Sequence, residues 1–140
     1  MTSLNEPKVK GTIICDDIRE EASGKLTYVG VYPENRIEVN DIPTLMSQLV
    51  MQLSIDVSHA VPKSIGFIVK NPDRKVMFAQ DVRVPKPPKP IPNTLNIRIH
   101  LVPFNLTKTG RYIVLIKFEG KAKRAGTFDV VKKISQNPSE

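Results

Sequence analysis

The amino-acid sequence predicts an all-β fold, a two-sheet antiparallel β-sandwich of about eight or nine strands. Three observations carry this expectation. Apolar residues recur with a period of two along most of the chain, the pattern of half-buried strands. The 140 residues include 12 prolines and 7 glycines but no tryptophan, and no stretch reads as a long amphipathic helix. The run LTKTGRY, residues 106–112, enters a strand in the manner of the tyrosine corner of Greek-key sandwiches, where a tyrosine hydroxyl is tied back to nearby backbone.

The strands can be read in order. KVKGTIICD (8–16), GKLTYVGVY (24–32) and RIEV (36–39) supply the N-terminal ones. In the first, Ile13 and Cys15 are expected to face the core, with Ile14 and Asp16 on the other side. LMSQLVMQLSIDV (45–57) has Leu45, Leu49 and Leu53 at helical spacing, yet Leu49, Met51, Leu53, Ile55 and Val57 alternate without a miss. The longer alternation and its β-branched end favour a strand over a helix. IGFIVKN (65–71) and RKVMFAQDV (74–82) read as a strand pair turning at Asn71-Pro72-Asp73. TLNIRIHLV (94–102) is the clearest strand, with Leu95, Ile97, Ile99 and Leu101 on one face. RYIVLIKFEG (111–120) and AGTFDVV (125–131) form a last pair joined by the charged KAKR.

Between these, VPKPPKPIP (84–92) has five prolines in nine residues and cannot donate to a ladder. It reads as a stiff, polyproline-like crossover whose PxxP spacing could also dock on an SH3-like groove. One domain is expected over residues 1–134, with residues 135–140 as a flexible tail.

No apolar run approaches the roughly 20 residues of a membrane span, and the polar N-terminus lacks a secretion signal. One cysteine cannot form an internal disulfide, so the expected setting is cytoplasmic. The net charge of +7 favours anionic partners without deciding the fold.

The densest chemistry lies in CDDIREEASGK. Asp16, Asp17, Glu20 and Glu21 stand beside Cys15, and four carboxylates this close could hold a hard cation. Against a metal, the spacing is not that of a calcium loop, and Arg19 and Lys25 stand ready to neutralise the acids. The competing reading makes Asp17 the cap of a single helical turn, with Glu20 completing a capping-box-like arrangement before Ser23-Gly24 turns the chain. Cys15 between apolar and acidic neighbours is a poor nucleophile. His59 and His100 match no zinc spacing with it, and neither GxSxG, a glycine-rich phosphate loop nor HExxH occurs. No cofactor is implied. Lys117, Lys121, Lys123 and Arg124 surround one hairpin and are candidates for anion binding, although Phe118 and Phe128 alternate into the core instead of offering stacking surfaces.

Cys15-Asp16-Asp17-x-Arg19-x-Glu21, followed by Gly24-Lys25-Leu26-Thr27-x-x-Gly30-x-Tyr32, resembles the opening of a family of small uncharacterised bacterial proteins, a domain of unknown function. Gly110-Arg-Tyr112 and Phe128-Asp-Val130 resemble its closing strands. The resemblance implies a bacterial or phage origin and an immunoglobulin-like or C2-like sandwich, and it implies no activity. The expected function is therefore a non-enzymatic binding or assembly module presenting loops or an edge strand to a protein partner, or to another copy of itself. The alternatives are a divalent-ion or small-ligand domain, or a hydrolase, built on the acidic cluster, and a weak anion or nucleic-acid binder using the basic hairpin.

Overall fold

The computed structural model describes residues 7–58, 61–84 and 93–134. The proline-rich stretch beyond Val84, His59 and the expected tail lie outside these residues. Eleven strands are present among them: β1 (Lys8–Glu20), β2 (Leu26–Val31), β3 (Arg36–Val39), β4 (Thr44–Met46), β5 (Leu49–Asp56), β6 (Ser64–Lys70), β7 (Val76–Arg83), β8 (Thr94–Leu101), β9 (Phe104–Leu106), β10 (Gly110–Phe118) and β11 (Lys121–Lys132). A short 3-10 turn, Pro33–Asn35, is the one helical element among the described residues.

Two main sheets form, in the orders β2-β1-β5-β8 and β3-β11-β10-β6-β7, with β4-β9 as a separate pair. One core lies between them: Ile14, Leu49, Met51, Leu53 and Ile55 of the first sheet pack with Ile65, Phe67, Val114, Ile116 and Phe128 of the second. Burying each such side chain is worth about 1.5–3 kcal/mol relative to exposure. This is the expected β-sandwich, with two differences. It has eleven strands because the run 45–57 is broken at Ser47-Gln48 into a short β4 and a long β5, and because the short β9 pairs with β4. It is also not wholly antiparallel, since β3 pairs parallel with β11 through Arg36–Asp129 to Val39–Lys132.

Local chemistry accounts for the turns. Asn71 is almost fully buried, and its Oδ1 accepts the backbone N–H groups of Asp73 and Lys75, both at 2.9 Å. This is the turn expected between β6 and β7. KAKR, by contrast, is not a loop. β11 begins at Lys121, opposite Phe118, and the chain reverses over Glu119-Gly120, both at positive φ (50° and 84°). A two-residue turn of this kind matches the twist of the flanking strands better than a four-residue loop.

The tyrosine corner forms as expected. Tyr112 donates its hydroxyl hydrogen to the carbonyl of Lys108 at 2.8 Å and accepts from the Lys108 N–H at 3.3 Å. Gly110, at φ +124°, packs against Pro72, which a Cβ would meet at 3.0 Å. Tyr112→Phe should therefore cost about 1–2 kcal/mol, seen as a midpoint lower by several degrees in a thermal melt.

β1 corrects two expectations. Ile14, not Ile13 and Cys15, enters the main core, while Cys15 joins Ile18 and Val50 in a second, smaller cluster. Three consecutive apolar residues cannot say which face is inner, and a bulge between Val9 and Gly11 shifts the register upstream. Nor does Asp17 cap a helical turn. β1 stays extended to Glu20 because β2 pairs with it through Glu20–Leu26, which occupies the backbone groups a helical turn would use. The chain turns instead over residues 21–25, where Gly24 N–H bonds the Glu21 carbonyl at 2.8 Å.

Candidate functional site

The β1–β2 hairpin carries the acidic cluster and organises it from within. Opposite Asp16, Gly30 takes φ +65°, and the Asp16 carboxylate lies in the space a side chain there would fill: a Cβ on Gly30 would be 2.2 Å from its Oδ2. Tyr32 donates its hydroxyl hydrogen to Asp16 Oδ1. Burial, reinforced by the bonded and charged Asp16, pushes the Tyr32 hydroxyl well above the usual tyrosine range, so it stays protonated as a donor. Gln48, in the β4–β5 connection, donates to the Asp16 carbonyl at 3.0 Å and to Asp17 Oδ1 at 3.1 Å. The same oxygen accepts the Ile18 N–H at 2.9 Å.

The remaining acids point elsewhere. Glu21 accepts from the Thr27 hydroxyl at 3.0 Å, and Glu20 lies 3.7 Å from Arg98 on β8. Arg19 contacts Asp17 at 3.4 Å as a solvent-exposed pair, not as a dry bridge. Asp16, Asp17, Glu20 and Glu21 therefore each hold a different partner. Among the described residues, no three His, Cys, Asp or Glu side chains group as a metal site would. Asp16 does line a shallow open depression with Met46, Ser47 and Gln48.

Cys15 is fully buried, and its thiol donates to the Asp17 carbonyl at 3.4 Å. Burial pushes its pKa up, opposed by that backbone bond and reinforced by the charges of Asp16 and Asp17. Its row on the sheet reads Cys15–Val50–His100, which puts the imidazole's strand two strands away, or about 10 Å. That is well beyond the reach of a cysteine–histidine pair.

Cys15, Ile18 and Val50 are covered by Leu26 and Tyr28, so the hairpin end folds over the outer face of its own sheet. Gln52, only 5% exposed, donates to the Tyr28 hydroxyl at 2.7 Å, while its Oε1 has no protein partner. Sequence reading passed over Gln48 and Gln52. A polar residue between Met51 and Leu53 in an apolar strand was the available signal for Gln52.

The basic candidates sit on strands. Lys117 faces Ala122 across the β10–β11 ladder and packs beside Gly66 near Asp81, and Arg124 lies opposite Leu115. Lys121 and Lys123 lie opposite Phe118 and Ile116.

The sheets leave edges of unequal quality. β3 has four residues, β2 has six with Gly30 at positive φ, and the β6–β7 pair carries a register shift at Val69/Lys70. β8 pairs with β5 over eight residues without a break. The Val57 N–H bonds the Asn93 carbonyl at 2.8 Å, which fixes the alternation. Leu95, Ile97, Ile99 and Leu101 direct their backbone groups to β5, whereas those of Thr94, Asn96, Arg98 and His100 point to the free edge.

No curated protein shows significant similarity to this chain. A family model does match, over residues 10–131, which takes in both the β1–β2 interlock and the tyrosine corner. The chain belongs to a family of unknown function (DUF6941).

Proposed function

We propose that this protein is a non-enzymatic binding or assembly module that takes up a strand from a protein partner, a second copy included, along the edge of β8. The unbroken eight-residue edge is the observation that carries this reading. Strand addition draws affinity from main-chain hydrogen bonds, and it needs a straight, unbulged acceptor. β8 has no proline, lysine or bulge within it, devices that blunt edges elsewhere. Arg98 on its exposed face would set partner preference through charge, and His100 through hydrogen bonding. The tyrosine corner supports an immunoglobulin-like or C2-like classification. The lone buried thiol accords with a reducing setting such as a bacterial cytoplasm, for a protein of bacterial or phage origin.

A proline at an outward-pointing position removes an N–H that β5 does not use, so Asn96→Pro should block addition while keeping the sheet. The side chain gives up only its exposed bond from Ser54. Sedimentation of the pure protein, and capture from lysate on immobilised protein, should both show association in the wild type that Asn96→Pro loses at least tenfold, with midpoints within a few degrees of each other. Equal association by a folded Asn96→Pro variant would remove β8 from the account.

A further inference from the structure

The fold gathers charge that the sequence scatters. β1 begins with Lys8 and Lys10, and Lys8 pairs with Asp56, which pairs in turn with Thr94 at the start of β8. In the second sheet, Ser64, which follows Lys63, pairs with Arg83, and Ile65 pairs with Phe118 at the tip of β10–β11. The two sets lie at the same end of the sandwich. The Thr12 hydroxyl of β1 donates to the Ala125 carbonyl of β11 at 3.0 Å, and only residues 57–63 separate the end of β5 from the start of β6. Among the described residues this end thus collects Lys8, Lys10, Lys63 and Arg83 with Lys117, Lys121, Lys123 and Arg124, eight cations. Among the described residues the acids there are Asp56, Asp81 and Glu119, giving an excess of five positive charges out of the chain's +7.

Apolar exposure is segregated the other way. Among the described residues the large exposed hydrophobics are Val31, Leu45, Val76, Val102 and Ile134. Val31 pairs with Cys15, Val76 with Lys70, and Val102 follows the Leu49–Leu101 pair. Leu45 lies on β4, and Ile134 follows the end of β11. All five belong to the opposite end. The basic end therefore lacks, among the described residues, the exposed apolar side chains that membrane-surface binding adds to charge. Among the same described residues it also lacks exposed aromatics on which single-stranded bases would stack.

We propose that the basic end binds the phosphate backbone of duplex nucleic acid, without reading its sequence. Charge concentrated on one end steers a polyanion, and neutralising phosphates releases condensed counterions. Nothing in this binding requires the β8 edge, so it stands or falls separately from strand addition.

The test is fluorescence anisotropy of a labelled 20-base-pair DNA duplex, and of the same length of single strand, titrated with the full chain across a salt series. Duplex affinity should fall linearly on log–log axes, and the Lys8→Ser/Lys63→Ser/Arg83→Ser variant should flatten the slope by about 2–3. Lys132→Ser/Lys133→Ser, at the other end, should leave the slope within 1 of wild type, and circular dichroism confirms that each variant is folded. A flat salt dependence, an equal effect of both variants, preference for the single strand, or binding to phosphatidylserine vesicles in place of the duplex would each overturn the proposal.

Discussion

Phe128→Ala is expected to lower stability by about 3–5 kcal/mol, the largest loss of any substitution considered for this fold. Phe128 stacks on Tyr112 with ring centroids 5.0 Å apart and planes 11° from parallel, and it meets Phe104 edge-on at 6.4 Å. The three rings join β11, β10 and β9, so truncation opens a cavity where strands of different sheets converge. Each kcal/mol corresponds to about 3–4 °C for a domain of this length. The midpoint should thus fall by about 10–15 °C, with the urea m-value unchanged. A loss below about 1 kcal/mol would mean that the rings are not packed at the centre of the core.

Gly30→Ala should cost about 2 kcal/mol for two separable reasons. At φ +65° any side chain is strained. The new Cβ must also displace the Asp16 carboxylate, which breaks the Tyr32 bond. In an Asp16→Ala background the second cost disappears, and the double-mutant cycle should return a coupling of about 1 kcal/mol. Additive losses would show that Asp16 does not occupy the space over Gly30. If the coupling is found, the resemblance motif gains a structural meaning: Asp16, Gly30 and Tyr32 interlock, Glu21 holds Thr27, and Leu26 covers Cys15.

That interlock marks how far sequence reasoning reached. Strands with a clean apolar alternation, such as Thr94–Leu101, were legible because one face is buried and the other wet, and the period alone records it. The Asn71 turn and the tyrosine corner were legible because their residue types have narrow chemical uses. Ile13, Ile14 and Cys15 were not, since alternation carries no information where every residue is apolar. The parallel β3–β11 pair was also hidden, because it joins residues about 90 positions apart and four residues carry little pattern. For the acidic cluster, the sequence gathered four carboxylates but not their partners. Gln48, Arg98 and Thr27 come from the β4–β5 connection, β8 and β2 respectively, and they draw the acids apart. The polarity of the molecule was the least legible feature, because the end at which basic residues outnumber acids emerges only once strand directions are known.

The claim that β8 offers an unused edge is open to direct measurement by amide hydrogen exchange on dilute, monomeric protein. The Asn96, Arg98 and His100 amides should exchange at close to unstructured rates, while those of Leu95, Ile97 and Ile99, bonded to β5, exchange orders of magnitude more slowly. Raising the protein concentration or adding a captured partner should then protect the first set. Equal protection of both sets in the isolated monomer would mean that the edge is already covered, and would contradict strand addition at β8.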